Sequence, residues 1–125
     1  MAMAAWAVHV RIACDEQRLA DAAQFVRKLA QQAHAVGLHS AMNEAICCHA
    51  RLLIARGERD EAAARVCFVV GHAQSSARDQ AAAGRVGEVL ALSDAELAHA
   101  RERAQRLDFD VLLADAARAS AGTHG

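Results

Sequence analysis

Residues 19–36 read Leu-Ala-Asp-Ala-Ala-Gln-Phe-Val-Arg-Lys-Leu-Ala-Gln-Gln-Ala-His-Ala-Val, and Gly37 follows. Leu19, Ala22, Ala23, Val26, Leu29, Ala30, Ala33 and Val36 recur at i, i+3, i+4 and i+7, which places them on one stripe of an α-helix. Asp21, Gln24, Lys28, Gln31 and Gln32 fall on the opposite face, with Gln17 and Arg18 just upstream. Gly37 stands where a helix C-terminus favours a left-handed residue. Asp15 is the expected N-terminal cap, and Glu16 a favourable first-turn charge. The period is helical.

The same pattern extends in both directions. Upstream, a first helix is expected over about 2–14. Ser40 is the expected cap of a third helix through Ala41, Ala45, Ile46, Ala50, Leu53 and Ile54 to Arg56, where Gly57 breaks it. A fourth starts near Arg59 or Asp60 and runs through Ala62, Ala63, Val66, Val69 and Val70 to Gly71. Ser75 or Ser76 caps a fifth, carrying Ala77, Ala81, Val86, Val89 and Leu90. Gly84 and Gly87 lie inside it, each costing about 1 kcal/mol against Ala. They mark either a close helix crossing or a weak helix. Ser93-Asp-Ala-Glu96 is a capping box opening a sixth helix to about 106. Asp108 starts a short seventh through Val111, Leu112, Leu113 and Ala116.

Composition agrees. Hydrophobic residues make up 54% of the 125, aromatics only 3%, and there is no Pro and no Tyr. Ala, the best helix former, is the dominant apolar residue. The longest period-2 run, Val8-His-Val10-Arg-Ile12, sits among Ala. The expectation is one all-α domain over 1–119, built of six to seven helices in antiparallel pairs, with a flexible tail over 120–125.

A repeat is visible in residues 43–76. Ala50 falls where one helix needs a small residue against its partner, Leu53 follows at a large core position, and Gly57 is at the turn. Gly57-Glu-Arg-Asp-Glu-Ala62 leads into the second helix, with Ala62 at the second small contact. This window resembles a tetratricopeptide repeat. It departs from that pattern at Ile46 (an aromatic is expected), Val69 (an Ala) and Gln74 (a Pro). The resemblance implies a short superhelix whose concave face binds a protein or peptide. On the 43–76 unit that face would present Glu44, Cys47, Arg51, Ile54 and Ala55. More broadly, the helix ending at Gly37, the Gly57–Ala62 turn and the Leu92-Ser-Asp-Ala-Glu96 start are similar to the C-terminal helical repeats of large bacterial transcription regulators of the MalT/LuxR and AfsR kind. That resemblance implies a sensor or docking portion, since no phosphate-binding Gly-rich loop and no DNA-reading segment accompanies it.

Net charge is −1, without the basic excess that phosphate neutralisation demands, so direct nucleic-acid binding is not expected. The apolar start, residues 1–10, lacks the charged beginning of a secretory signal and the length of a membrane span. A cytoplasmic, non-membrane protein is expected. Cys14, Cys47, Cys48 and Cys67 read as reduced, small core residues.

The remaining candidates for chemistry are sparse. No Cys-x-x-Cys or His-x-x-x-His occurs, and Cys47-Cys48-His49 point around three sides of one helix. His34 and His39 straddle the Gly37 turn with no obvious third ligand. The carboxylate pairs Asp15-Glu16, Asp60-Glu61 and Asp108 with Asp110 all fall at expected helix starts, where they complement the dipole. Arg51, Arg56, Arg59, Arg65, Arg101, Arg103 and Arg106 offer contacts for an acidic peptide, with Glu58, Glu61, Glu102 and Asp108 placed to pair with them. Trp6, the one Trp, is either an interface anchor or a first-helix core residue. The expectation is a non-catalytic protein–protein interaction scaffold without cofactor or metal, able to self-associate as a homodimer. A small-molecule sensor with a cavity between helices is the alternative, followed by a Cys/His metal or redox protein.

Overall fold

The computed structural model describes residues 3–72 and 75–121. Among them are seven α-helices and no strand: α1 Met3–Asp15, α2 Leu19–Val36, α3 His39–Ala55, α4 Arg59–Gly71, α5 Ala77–Leu90, α6 Asp94–Ala104 and α7 Phe109–Ala117. The chain is all-α. None of these helices is long and apolar enough to cross a membrane. Residues 122–125 of the expected tail, and Gln74, lie outside the described residues.

Several stops and starts follow local chemistry, and others do not. Gly37 takes a left-handed conformation and its N–H reaches the Ala33 carbonyl. Ser76 and Ser93 each form a full capping box, with Asp79 and Glu96 respectively. Asp108 caps α7 through the Val111 amide. Asp15, however, ends α1 rather than opening α2, whose N-cap is Arg18 without a side-chain bond. The chain turns there because Gln17 adopts φ 60, so that the amides of Gln17 and Arg18 close on the carbonyls of Cys14 and Ala13. Asp15 and Glu16 are therefore not first-turn charges. Ser40 likewise lies inside α3, which Leu38 precedes with no side-chain cap.

The helix neighbours define the architecture. α1, α3 and α5 lie side by side with α3 central; α2 packs on α1 and α3, and α4 on α3 and α5. The stack then stops extending: α6 packs on α4, and α7 returns to lie against α2 and α3. α3 is consequently buried on two sides. Its Ala45, Cys48 and Leu52 join a core with Val10, Val26, Leu29, Ala33 and Leu113. Its Ile46, Ala50 and Leu53 join a second core with Ala62, Val66, Val69, Val86, Leu90 and Leu112. A helix with apolar residues on two of its sides fits such a central place. Val36, expected on the buried stripe, is instead exposed at the end of α2.

Gly87 and Gly84 separate the two explanations of that pair. A Cβ on Gly87 would stand 3.3 Å from Val66 Cγ1, so it marks the α4–α5 crossing. Gly84 faces open space.

Candidate functional site

The face formed by α1, α3 and α5 is hollowed along the middle helix. A cleft of about 380 Å³ is lined by Glu44, Cys47, Cys48 and Arg51 of α3, with Ala7, Val8 and Arg11 on one wall and Arg78, Asp79, Ala82, Arg85 and Val86 on the other. A second hollow of about 280 Å³ continues from it, sharing Arg11 and Arg51 and reaching Ile54, Ala55 and Val89. Glu44, Cys47, Arg51, Ile54 and Ala55 thus come together along one face of α3. Trp6 does not join them: it is half-buried and packs against the core shared by α1, α2, α3 and α7.

The walls are held in register by a buried amide. Asn43 Nδ2 donates to Asp79 Oδ2 at 3.0 Å and to Ser75 Oγ at 3.2 Å, tying α3 to the start of α5. Asp79 Oδ2 also accepts from the Ser76 backbone, so one carboxylate both caps α5 and anchors it. Glu44 sits one residue along. Burial raises its carboxyl above the ordinary range, with Arg78 opposing.

The arginines sort into two groups. Arg18, Arg56, Arg59, Arg65, Arg103, Arg106 and Arg118 each pair with a carboxylate within the chain, and Arg27 donates to the Ala119 carbonyl at 2.6 Å. Of the two roles the sequence offers Arg56, Arg59, Arg65, Arg103 and Arg106, ligand contact or pairing with nearby acids, the structure shows the pairing: Arg56 with Glu58, Arg65 and Arg103 with Glu61, Arg106 with Glu102, and Arg59 with Glu96. The other five of the 13 arginines, Arg11, Arg51, Arg78, Arg85 and Arg101, form no ion pair or hydrogen bond among the described residues. Four of those five line the α1–α3–α5 cleft. Of these, spacing along a single helix finds only Arg51; Arg11, Arg78 and Arg85 arrive from other helices.

Cys14, Cys47, Cys48 and His49 are buried. Burial pushes the Cys47 thiol up to about 12, reinforced by Glu44 and Asp79. It likewise takes Cys14 to about 11 and Cys48 well above the usual thiol range. Thiols held protonated are poor nucleophiles. Cys47, Cys48 and His49 do face different surroundings, and His49 is buried near Arg65 with its Nδ1 lacking a hydrogen-bond partner. His39 turns to Phe109 and His72 rather than to His34, which lines a hollow between α2 and α7. Among the described residues no three His, Cys, Asp or Glu side chains converge as a metal-binding group.

A separate hollow of about 510 Å³ lies between α4 and α6. Val66, Phe68, Val70, Leu97 and Leu107 make it apolar, and Cys67, Arg101 and Gln105 give it a polar edge. Comparison with protein-family models, with curated proteins and with solved structures found no match to the chain.

Proposed function

We propose that the chain is a non-catalytic interaction module that binds a polypeptide in the α1–α3–α5 cleft. One observation carries this: the arginines left without an internal partner gather on that cleft and not over the surface at large. An arginine kept unpaired beside a concavity is available to a partner, whereas a paired one must first be released. The side-by-side placing of α1, α3 and α5, with α2 and α4 behind, supports the tetratricopeptide-like reading of this face. The likeness to regulator repeats makes a docking portion of a bacterial transcription regulator our proposal for its setting. A second copy of the chain is the competing occupant of the cleft.

The test is selection of random displayed peptides on the immobilised protein, with Ala82→Trp as the counter-target. The Trp fills the cleft from a half-buried position on α5. Peptides that bind wild type and not Ala82→Trp are expected. Identical enrichment on both, or none, rejects the cleft as a binding face.

A second reading, a small-molecule effector site, has one observation in its favour. The α4–α6 hollow falls in the size range of ligand pockets, with apolar walls and few polar groups. A thermal shift with a metabolite that Leu97→Trp abolishes would establish it.

A further inference from the structure

We infer that the occupant of the α1–α3–α5 cleft is an acidic, amphipathic polypeptide segment, its carboxylates meeting Arg11, Arg51, Arg78 and Arg85. This rests on the cleft being the binding face and adds the partner's chemistry. The chain as a whole is slightly acidic, yet four of its 14 basic side chains line the larger cleft against only two of its 15 acidic ones, Glu44 and Asp79. Asp79 is already committed to Asn43 and the Ser76 amide. The guanidinium fork matches a carboxylate bidentately, and on the rim of a hollow such a pair is partly desolvated.

Apolar side chains also stand among the arginines. Ala7, Val8, Ala82 and Val86 line the larger cleft, and Val89, exposed by 63%, stands at the edge of the second hollow. An exposed apolar residue next to unpaired cations fits a partner carrying Leu- or Phe-type side chains between its acids. The line from Glu44 to Ala55 runs about 16 Å along α3 at 1.5 Å per residue, room for roughly three turns of a partner helix. A nucleic acid fits less well. Among the described residues no aromatic side chain lines either hollow for base stacking, and Glu44 would face a phosphate.

The experiment is fluorescence anisotropy with a labelled peptide of about 14 residues whose Glu and Leu recur at helical spacing. Its Gln-for-Glu twin and a labelled single-stranded DNA of the same length serve as the other probes. The Glu peptide is expected to bind full-length protein, at least roughly tenfold tighter than its Gln twin, and to weaken as salt rises. Arg78→Glu with Arg85→Glu, both exposed on α5, is expected to lower affinity roughly tenfold or more. Arg106→Glu, an exposed residue on no part of the cleft, is expected to leave it unchanged. Circular dichroism checks that each variant is folded, and Arg78→Gln with Arg85→Gln gives an intermediate loss without charge reversal. No binding of the Glu peptide, equal binding of the Gln twin, insensitivity to the α5 arginines, or tighter binding of the DNA would each overturn the inference. The peptide selection on Ala82→Trp separates the levels: cleft-dependent peptides without acids sink the acidic partner alone, and no cleft-dependent peptide sinks the binding face itself.

Discussion

Four of the corners between successive helices turn on a residue at positive φ. Gly37 and Gly57 fill two such corners at φ 73 and φ 82, and both were legible because glycine announces the conformation. Gln17 and Ala91 fill two others at φ 60 and φ 50, where nothing in the sequence signals the turn. That is why Asp15 reads as a cap: an acid before an apolar stripe looks like a start, while the Gln that makes the corner looks like surface. A side chain with a Cβ is strained in this region. Ala91→Gly is therefore expected to stabilise the protein by about 0.5–1 kcal/mol, read as a raised urea midpoint with unchanged slope. Gln17→Gly is expected to gain less, since the Gln17 side chain also donates from Nε2 to the Cys14 carbonyl at 3.3 Å. No gain at Ala91 would mean that the corner is not strained. His49 is the residue whose cost appears with pH. Burial, with Arg65 and Arg56 nearby, holds its imidazole from 6.5 down to about 3. The unfolded chain therefore binds a proton that the folded one refuses. Stability is intact above pH 6.5 and falls as pH drops toward 3, by an amount on the order of 4 kcal/mol at the acid end. Denaturation at stepped pH should show a steeper acid loss for wild type than for His49→Gln. Parallel curves would show that His49 is not linked to folding.

At the scale of elements, caps and stripes located all seven helices, because Ser76, Ser93 and Asp108 carry their own start signals and the apolar spacing carries the rest. What spacing does not reveal is which neighbour a stripe meets. The two glycines of α5 show this. Gly87 is where α4 crosses, with Val66 Cγ1 3.3 Å from the position a Cβ would take, whereas Gly84 meets nothing within 4 Å. Each removes helix propensity of about 1 kcal/mol relative to Ala, yet only one receives close packing in return. Gly84→Ala is expected to stabilise by about 0.5–1 kcal/mol. At Gly87 the same change forces Val66 aside, and the gain is expected to vanish or reverse. Thermal midpoints of the two variants check this directly. Equal stabilisation would show that the α4–α5 crossing has slack.

At the scale of the whole molecule, the sequence underdetermined two things for one reason: both depend on which distant segments meet. The cleft's floor was legible, since Glu44, Cys47, Arg51, Ile54 and Ala55 share one helix, but its charged walls belong to α1 and α5. The return of α7 was equally hidden, because Leu112, Leu113 and Ala116 are a short apolar stripe that fits any groove. Polar contacts tie it to the groove it takes. Arg65 of α4, with its side chain 5% exposed, donates to Glu61 at 3.1 Å and to Asp115 of α7 at 3.2 Å. Arg103 of α6 completes the group on Glu61, whose carboxyl Arg103 and Arg65 hold below its usual range against the opposing effect of burial. Arg27 and Arg56 then reach the carbonyls of Ala119 and Ser120 just beyond α7, where a helix end favours cations. Arg65→Ala takes one of two cations from each of Glu61 and Asp115, which keep Arg103 and Arg118, and leaves a gap between α4 and α7. Because both acids are more than a third exposed, the cost is expected at about 2 kcal/mol, below that of breaking a fully buried pair. The loss should be local. Hydrogen exchange in Arg65→Ala should quicken first at α7 amides while α1 stays protected, since α7 packs chiefly on α2 and α3 and would keep only the Phe68–Phe109 ring contact and shared apolar core toward α4. Uniform acceleration along the chain would mean that Arg65 supports the whole bundle, and that the α7 return is fixed by apolar packing alone.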